Sequence, residues 1–193
     1  MNAHKTRCEW VPLHKPHYVQ YHDEEWAVPV YDDFKMFEFL VLESFQAGLS
    51  WEIVLNKREN FRSAFAAFDF REVATFDKSK VQALLQDKGI IRNQLKIKAT
   101  INNARCYLDT INEFGSFCKY FWAFSGGKPV QNAFKKMEDI PTHTELSDTI
   151  AGDMKQRGFK FLGSTVMYAH MQAVGMVNDH QTSCFRYDTL KRG

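Results

Sequence analysis

The chain has 193 residues, of which 45% are hydrophobic and 15% aromatic, and its formal net charge at pH 7 is +2. This length fits one well-filled core and is short for two, and the aromatic content excludes a disordered tail. The small net charge permits a nucleic-acid partner but does not argue for one.

The hydrophobic pattern predicts helices along almost the whole chain. The first begins at Asp32 or Asp33, since aspartate is a preferred N-cap residue, and it ends before Gly48. Glu43 follows an apolar run in this helix, over residues 39–42, so we expect its carboxylate to be at least partly buried. A buried acid is a functional candidate, because burying a charge costs free energy unless the charge is paired, and acids in such surroundings occur often at functional sites.

Further helices share a spacing of three and four positions between apolar residues. They are expected from Ser50 to about Phe65, from a cap at Asp77 or Ser79 through Leu85, from Ile91 through Leu108, over residues 144–157, and from Ser164 through Val174. Alternating, valine-rich strand patterns are absent apart from short pieces. The sequence therefore predicts an all-α protein with one domain over residues 1–193, in which two helical lobes are an open alternative.

A glycine turn joins two of these helices within residues 84–99. Basic side chains surround this turn, and only Asp87 opposes them; the basic residues are Lys88, Arg92, Lys96 and Lys98. The N–H groups at the start of the second helix and these cations together suit a phosphate. The alternative is an ordinary corner between helices with a solvated basic face, and spacing alone favours it.

Two pairs of metal-binding residue types lie at opposite ends of the chain, Cys8 with His22 and His180 with Cys184. Two thiolates and two imidazoles are a donor set for tetrahedral structural Zn²⁺, which would join the termini and leave no position for chemistry. The His-x₃-Cys spacing often occurs by chance, and Cys8 lies far from His22 in the sequence. Spacing alone therefore favours ordinary buried cysteines and hydrogen-bonded histidines.

The cellular environment is predicted from two further features. No apolar run reaches membrane-spanning length, and no secretory leader pattern is present, so we expect a soluble, cytoplasmic protein. The four cysteines are too few for a disulfide framework in a chain of this length. They fit a reducing compartment, where thiols serve as metal ligands or core residues.

Several distinctive segments follow one another in a fixed order. They are Arg-Cys-Glu-Trp at 7–10, Tyr-His-Asp-Glu-Glu-Trp at 21–26, Glu-Ser-Phe-Gln-Ala-Gly-Leu-Ser-Trp at 43–51, Lys-Arg-Glu-Asn at 57–60, Gly-Ile-Ile-Arg at 89–92, Arg-Gly-Phe-Lys-Phe at 157–161, Met-Gln-Ala at 171–173 and Asn-Asp-His at 178–180. Through these segments nearly the whole chain resembles the bacterial 3-methyladenine DNA glycosylase I family of the helix-hairpin-helix glycosylase superfamily.

The resemblance implies a helix-hairpin-helix fold with its hairpin at about residues 79–112. It implies a monofunctional base-excision repair enzyme that flips N3-methyladenine out of double-stranded alkylated DNA and hydrolyses the N-glycosidic bond. Free 3-methyladenine is then the product, and the protein is expected to be a monomer. The resemblance also implies one structural zinc ion, held by Cys8, His22, His180 and Cys184.

The resemblance further implies a base pocket. Trp51 corresponds to the stacking aromatic residue, Glu43 to the acid that reads the base edge and supplies the electrostatics of catalysis, and Tyr21 to the neighbouring hydroxyl. Tyr18 and Trp10 complete the implied pocket. From the residues alone, Trp51 can also be a core aromatic residue and Glu43 a solvated one.

For contacts with DNA, the resemblance implies that the loop after the first helix enters the base stack, with Gly48 in the loop and Leu49 as the wedge. Gly89, Arg92 and Lys96 correspond to the hairpin that binds the phosphate backbone.

Some residues depart from the superfamily pattern. Asp109 and Glu113 lie roughly where the superfamily's catalytic aspartate is sought, and we expect both to be solvated helix residues. Ala27 stands where the family often has glycine, and Gln94 and Leu95 replace a basic residue and a glycine. We can assign no lysine as a Schiff-base nucleophile, in keeping with a family that is not a lyase.

Two alternatives to this interpretation stay open. One is a zinc-stabilised helical module that binds DNA or a protein without catalysis. The other is a glycosylase of the same superfamily that excises another alkylated base, such as 3-methylguanine.

Overall fold

The computed structural model describes residues 5–191, and these residues fold mainly into helices. The helices are α1 (Pro16–Gln20), α2 (Asp33–Gln46), α3 (Trp51–Asn56), α4 (Arg58–Ala64), α5 (Phe70–Val73), α6 (Lys78–Gln86), α7 (Gln94–Phe114), α8 (Phe117–Ala123), α9 (Glu145–Gln156), α10 (Ser164–Ala173) and α11 (Phe185–Lys191). A π-helical turn, Tyr21–Glu25, follows α1, and two short turns lie at Ala66–Phe68 and Met137–Asp139.

Two very short strands correct the all-α prediction in detail. β1 (Val130–Gln131) and β2 (Val177–Asn178) pair in parallel, with Val130 opposite Val177. A strand of two residues is too short for the alternation that identifies strands in a sequence. The pairing of β1 with β2 nevertheless matters for the site, because it holds the backbone directly before Asp179 and His180.

Helix α2 forms the centre of the core. Of the two predicted caps, Asp32 is the one observed, and its Oδ1 accepts a hydrogen bond from the Lys35 N–H at 2.8 Å. Every residue of α2 from 36 to 45 is buried, as expected of a helix that is apolar on all sides. The buried polar residues on this helix are Glu38, Glu43 and Ser44.

Other predicted helices agree with the structure near their caps and differ where tertiary contacts intervene. The helix expected from Ser50 to Phe65 is broken into α3 and α4 at Lys57. The break lets Lys57 Nζ donate to the Lys88 and Gly89 carbonyl oxygens, at 3.2 and 3.0 Å. Helix α7 begins at Gln94 and not at Ile91, because Asn93 Oδ1 caps the N–H groups that follow it.

Buried apolar side chains of the described residues form one hydrophobic cluster. The cluster includes Cys8, near the start of the chain, and Cys184, near its end. Helix α7 contacts α2, α5, α6 and α8 and so lies along much of this cluster. Within residues 5–191, no helix has both the length and the apolar character needed to cross a bilayer.

Candidate functional site

The four predicted metal ligands converge in the structure. Cys8, His22, His180 and Cys184 are all buried, and their ligand atoms lie within 4.8 Å of one another. His180 Nδ1 lies 3.4 Å from the Sγ atoms of both cysteines, and His22 Nε2 lies 3.5 Å from Cys184 Sγ. Zn–S and Zn–N bonds of about 2.3 and 2.0 Å in a tetrahedron place sulfur and nitrogen about 3.5 Å apart. The residues therefore fit a tetrahedral metal ion.

Neighbouring groups orient both histidines. His22 Nδ1 lies 2.8 Å from Asp23 Oδ1, and His180 Nε2 lies 3.3 Å from the Trp26 carbonyl oxygen. A partner on the second ring nitrogen is typical of metal-binding histidines, because it fixes the ring and its tautomer. Burial also lowers the pKa of His180, which favours the neutral imidazole that binds metals.

Residues of the π-helical turn contact three different parts of the structure. Tyr21 lies on the wall of a cavity, and His22 belongs to the cluster of four candidate metal ligands. Glu25 accepts two hydrogen bonds from Arg58, each at 2.8 Å. π-helical segments are rare and often occur at functional sites. The turn thus connects the metal cluster to the cavity through adjacent side chains.

The cavity has a volume of about 360 Å³ and contains all five residues predicted for the base pocket: Trp10, Tyr18, Tyr21, Glu43 and Trp51. The ring centroids of Tyr21 and Trp51 lie 5.1 Å apart, and those of Trp10 and Tyr18 lie 5.7 Å apart. The walls are therefore largely aromatic, as suits a flat ring.

Glu43 is the most unusual group in the cavity. Its exposed fraction is 4%, and no described residue donates a hydrogen bond to its Oε2. Burial raises the pKa of Glu43 to about 8. The other buried polar groups of α2 have partners: Glu38 accepts from Arg58 and Arg62, and Ser44 donates to the Val41 carbonyl. An unpartnered buried carboxyl group indicates a binding function.

The stability of wild type relative to Glu43→Gln is expected to depend on pH. The folded-state pKa of about 8 lies above the ordinary value of 4.5, so folding of wild type favours the protonated acid. The free energy of unfolding of wild type, relative to that of Glu43→Gln, is highest below about pH 4.5. It falls as pH rises towards 8, by about 1.4 kcal/mol for each pKa unit between the folded and unfolded states. Denaturant titrations of both proteins from pH 5 to 9 measure this. Parallel curves would contradict it.

Sequence reasoning missed the other residues that line the cavity. They are Gln46, Trp26, the residues Met137, Ile140, Pro141 and Thr142 between α8 and α9, and the α10 residues Thr165, Tyr168, Ala169 and Gln172. The α10 residues recur at helical spacing on one face. Because that face mixes polar and apolar side chains, its pattern does not distinguish a cavity wall from a core contact.

The loop predicted to enter DNA lies between α2 and α3. Gly48 has a φ of +79°, a conformation that glycine adopts without strain, and Leu49 is 39% exposed. In the α6–α7 turn, the Gly89 N–H donates to Asp87 Oδ1 at 2.7 Å. A Cβ atom on Gly89 would lie 2.9 Å from that oxygen, so a larger residue would displace the Asp87 side chain from this hydrogen bond. Arg92 is exposed.

Lys96 is a correction to the predicted DNA contacts. The residue is 6% exposed, and its Nζ donates to the carbonyl oxygens of Phe45 and Ala47 at 2.8 and 2.5 Å. These are free carbonyl groups at the end of α2, where a cation is favoured. The prediction of a phosphate contact by Lys96 is therefore wrong, because its ammonium group is directed into the protein.

Lys96→Met is accordingly expected to lower the free energy of unfolding by about 1 to 3 kcal/mol, because buried carbonyl groups lose their donor. The salt dependence of DNA binding should stay as in wild type. Urea unfolding and DNA-binding titrations at several salt concentrations test both points. A flatter salt dependence in the variant would show that Lys96 does contact phosphate.

The structure also gives the exposure or backbone conformation of the residues that depart from the superfamily pattern. Asp109 and Glu113 are exposed, as expected, and neither lines the cavity; Glu113 binds Arg157 at 2.7 Å. Ala27 has a φ of 61°, in the left-handed region that glycine adopts without strain. Leu95 is 66% exposed at the start of α7.

A network of ion pairs that was not predicted lies next to the cavity residues of the π-helical turn and α2. Arg58 contacts Glu25 and Glu38, and Lys35 contacts the same two carboxylates. Burial opposes ionisation of Glu25, but Arg58 and Lys35 outweigh it and lower its pKa to about 2. The network joins the π-helical turn to α2 and α4.

The fold and site together define a mostly helical protein with an aromatic cavity that contains a buried acid, beside a cluster suited to a metal. Comparison with known proteins identifies the family. The methyladenine glycosylase family model matches residues 10–187, so the chain belongs to this family of enzymes. The resemblance inferred from the sequence is confirmed.

Individual relatives agree with this assignment. DNA-3-methyladenine glycosylase 1 of Escherichia coli K12 is 46% identical over 181 residues, which cover 94% of this chain and 96% of the relative. A crystal structure of 3-methyladenine DNA glycosylase I has a TM-score of 0.89 and 47% identity, covering 93% and 98% of the two chains. A variant of such a glycosylase in complex with 3-methyladenine has a TM-score of 0.88 and 33% identity, covering 90% and 93%.

Proposed function

We propose that the chain is a monofunctional DNA glycosylase that excises N3-methyladenine from alkylated double-stranded DNA. The observation that carries this proposal is Glu43, a buried acid with an unpartnered oxygen in an aromatic cavity. The complex of a relative with 3-methyladenine supports the choice of base. A base inside a duplex cannot reach such a cavity, so the nucleotide must flip out of the stack.

The proposed chemistry needs little acid catalysis. N3-methyladenine attached to deoxyribose carries a positive charge, so the base departs as a neutral molecule when water hydrolyses the N-glycosidic bond. An adjacent cation lowers the pKa of a carboxyl group, so the bound lesion favours ionised Glu43. The carboxylate then stabilises the cationic base and the positive charge that develops on the sugar.

The aromatic residues hold the base in this scheme. Trp51 stacks on the face of the ring, and Tyr21, Tyr18 and Trp10 enclose its edges. The same contacts remain available to free 3-methyladenine, so the product is expected to bind the protein without DNA.

The DNA contacts are proposed for the α2–α3 loop and the α6–α7 turn. The exposed Leu49 side chain suits a wedge that fills the space left by the flipped nucleotide. The exposed Arg92 side chain, beside the turn at Gly89, suits the phosphate backbone, whereas the N–H groups of Gly89, Leu95 and Lys96 already donate to the Asp87 and Asn93 side chains.

Arg92→Ala is expected to weaken binding of damaged and undamaged duplex alike. Loss of one phosphate contact should reduce the slope of log affinity against log salt by about 0.9. Anisotropy titrations with both duplexes at four salt concentrations measure the slope. An altered preference for the damaged base at an unchanged slope would exclude this role for Arg92.

We infer that the buried Cys8, His22, His180 and Cys184 cluster holds one structural Zn²⁺. Two thiolates and two imidazoles suit this ion, and a closed set of four protein ligands leaves no position for water or substrate. The metal would connect the start of the chain to its end and take no part in the reaction.

We also infer a place in base excision repair, as a cytoplasmic monomer. The proposed reaction leaves a baseless sugar in DNA, which further repair enzymes must process. An enzyme of bacterial type that acts on DNA works in the cytoplasm, and its four free cysteines suit that reducing compartment. One chain carries the whole cavity, so the reaction requires no second copy.

The direct test is incubation of the metal-replete protein with methylated DNA, followed by chromatography of the released bases. Release of 3-methyladenine supports the proposal. Tight binding of DNA without any release would favour a non-catalytic module, and release of another alkylated base alone would assign a different substrate. Binding without release would overturn the catalytic proposal, and release of another base alone would overturn only the base assignment.

A further inference from the structure

Asp179 lies between the metal cluster and the cavity. Its exposed fraction is 0%, and it directly precedes the ligand His180. Tyr168 Oη and Gln172 Nε2 both donate to Asp179 Oδ2, at 2.6 and 2.8 Å, and Asn132 Nδ2 donates to Oδ1 at 2.6 Å. Since Tyr168 and Gln172 line the cavity, this carboxylate holds two residues of the cavity wall.

The contact with Asp179 also decides how the Gln172 amide is turned. A carboxylate accepts hydrogen bonds, so the NH₂ group of Gln172 must face Asp179. Its other amide atom, the acceptor Oε1, takes no hydrogen bond from any residue between 5 and 191 and is not a fully buried atom. Gln172 therefore offers the cavity an acceptor with a set orientation.

The backbone strengthens this connection. The Gln172 carbonyl oxygen accepts a hydrogen bond from the Ala27 N–H at 3.0 Å, and the Trp26 carbonyl oxygen contacts His180 Nε2 at 3.3 Å. Trp26 is itself a cavity residue. The segment that carries His180 thus reaches the cavity wall through Trp26 as well as through Asp179.

We propose that Asp179 is a positioning residue of the base pocket, which holds Gln172 so that its Oε1 accepts a hydrogen bond from an amino group of the base. This inference rests on the proposed function. An adenine-type base carries a 6-amino group with two N–H donors, enough for Glu43 and Gln172 together.

The proposal has a consequence for base discrimination. A guanine-type base carries a carbonyl oxygen at the same ring position. In the complex with a cationic base, where Glu43 is ionised, Glu43 and Gln172 would both face that oxygen as acceptors without a donor between them, and unpaired polar groups in a closed site reduce binding. The pair therefore favours alkylated adenine over alkylated guanine.

The test compares Asp179→Asn with Gln181→Met. Both positions flank His180, and both side chains are buried and hydrogen-bonded, but Gln181 binds Glu9 and Lys135, neither of which lines the cavity. In Asp179→Asn, an amide replaces the acceptor and can turn a donor towards Gln172. Affinity for free 3-methyladenine should fall about tenfold, as expected for loss of one well-placed hydrogen bond.

The measurements are titration of 3-methyladenine, zinc content and thermal unfolding of each protein. Gln181→Met should lose stability but keep its affinity for the base within about twofold, since neither Gln181 nor its side-chain partners line the cavity. If the two variants lose base affinity equally, in proportion to lost zinc or stability, Asp179 acts only on the scaffold and the proposal is overturned.

Gln172→Met provides a second variant that leaves the metal segment unchanged. It removes the acceptor at similar length, so it should bind 3-methyladenine about tenfold more weakly and discriminate less against 3-methylguanine. Unchanged affinity and discrimination in this variant would overturn the inference even if Asp179→Asn failed to fold. Wild type that binds no 3-methyladenine would instead refute the proposed function itself.

Discussion

Glu43→Gln is expected to lower the rate of 3-methyladenine excision by about ten- to a hundredfold, because a hydrogen bond to a charged group contributes about 1.5 to 3 kcal/mol. The substitution keeps the shape of the side chain but removes its negative charge and turns one acceptor into a donor. The variant should still fold, because no described residue donates a hydrogen bond to Oε2 of this carboxyl group, and at neutral pH it should be more stable than wild type, because burial disfavours the ionised acid. The cavity therefore loses function without losing a structural contact.

Single-turnover release of 3-methyladenine from methylated duplex measures this effect, with circular dichroism and zinc content as checks on folding. Glu113→Gln is the matched control, since Glu113 is an exposed acid that lies outside the cavity. It should excise at the wild-type rate. An equal loss in the two variants, or full activity of a folded Glu43→Gln protein, would show that the acid of the site lies elsewhere.

Cys184→Ala is expected to abolish tight metal binding and to lower the melting temperature by roughly 10 °C or more. A structural zinc ion contributes its binding free energy to folding, and about 1 kcal/mol corresponds to roughly 2 to 4 °C in a chain of this size. In the proposed site the metal would join residues far apart in sequence, Cys8 and Cys184, so its loss would also release these two segments from each other.

Elemental analysis of the purified protein should give about one zinc per chain, as a closed tetrahedral site requires. Cys118→Ala is the control, because Cys118 is also a buried cysteine but lies outside the cluster. This variant should keep its zinc. A metal-free wild-type protein that melts at the same temperature as the zinc-loaded protein would disprove a structural role.

Local sequence features determined most of the helices. The caps at Asp32 and Asp77, the starts of α9 and α10, and the burial of Glu43 agree with expectations from caps and apolar spacing. These features act between residues three or four positions apart, so they can be read directly along the chain. The chemical types of the metal ligands and of the predicted base pocket were likewise present in the sequence.

Tertiary packing alone decided where several side chains point. Lys96 belongs to a basic run in the sequence, yet it is directed into the protein because free carbonyl groups at the end of α2 lie beside it. The break at Lys57 and the two-residue strands likewise depend on partners far away in the chain. Spacing within a segment contains no information about such partners.

The composition of the site shows the same division. The sequence by itself determined which residues are able to bind metal and which acid follows a buried helical run. Only the tertiary structure brought Cys8 to Cys184, placed α10 and Trp51 on the wall of one cavity, and connected Asp179, which precedes His180, to Gln172. The physical reason is that helix formation is governed by short-range contacts, whereas a cavity is formed by packing between helices that are distant in sequence.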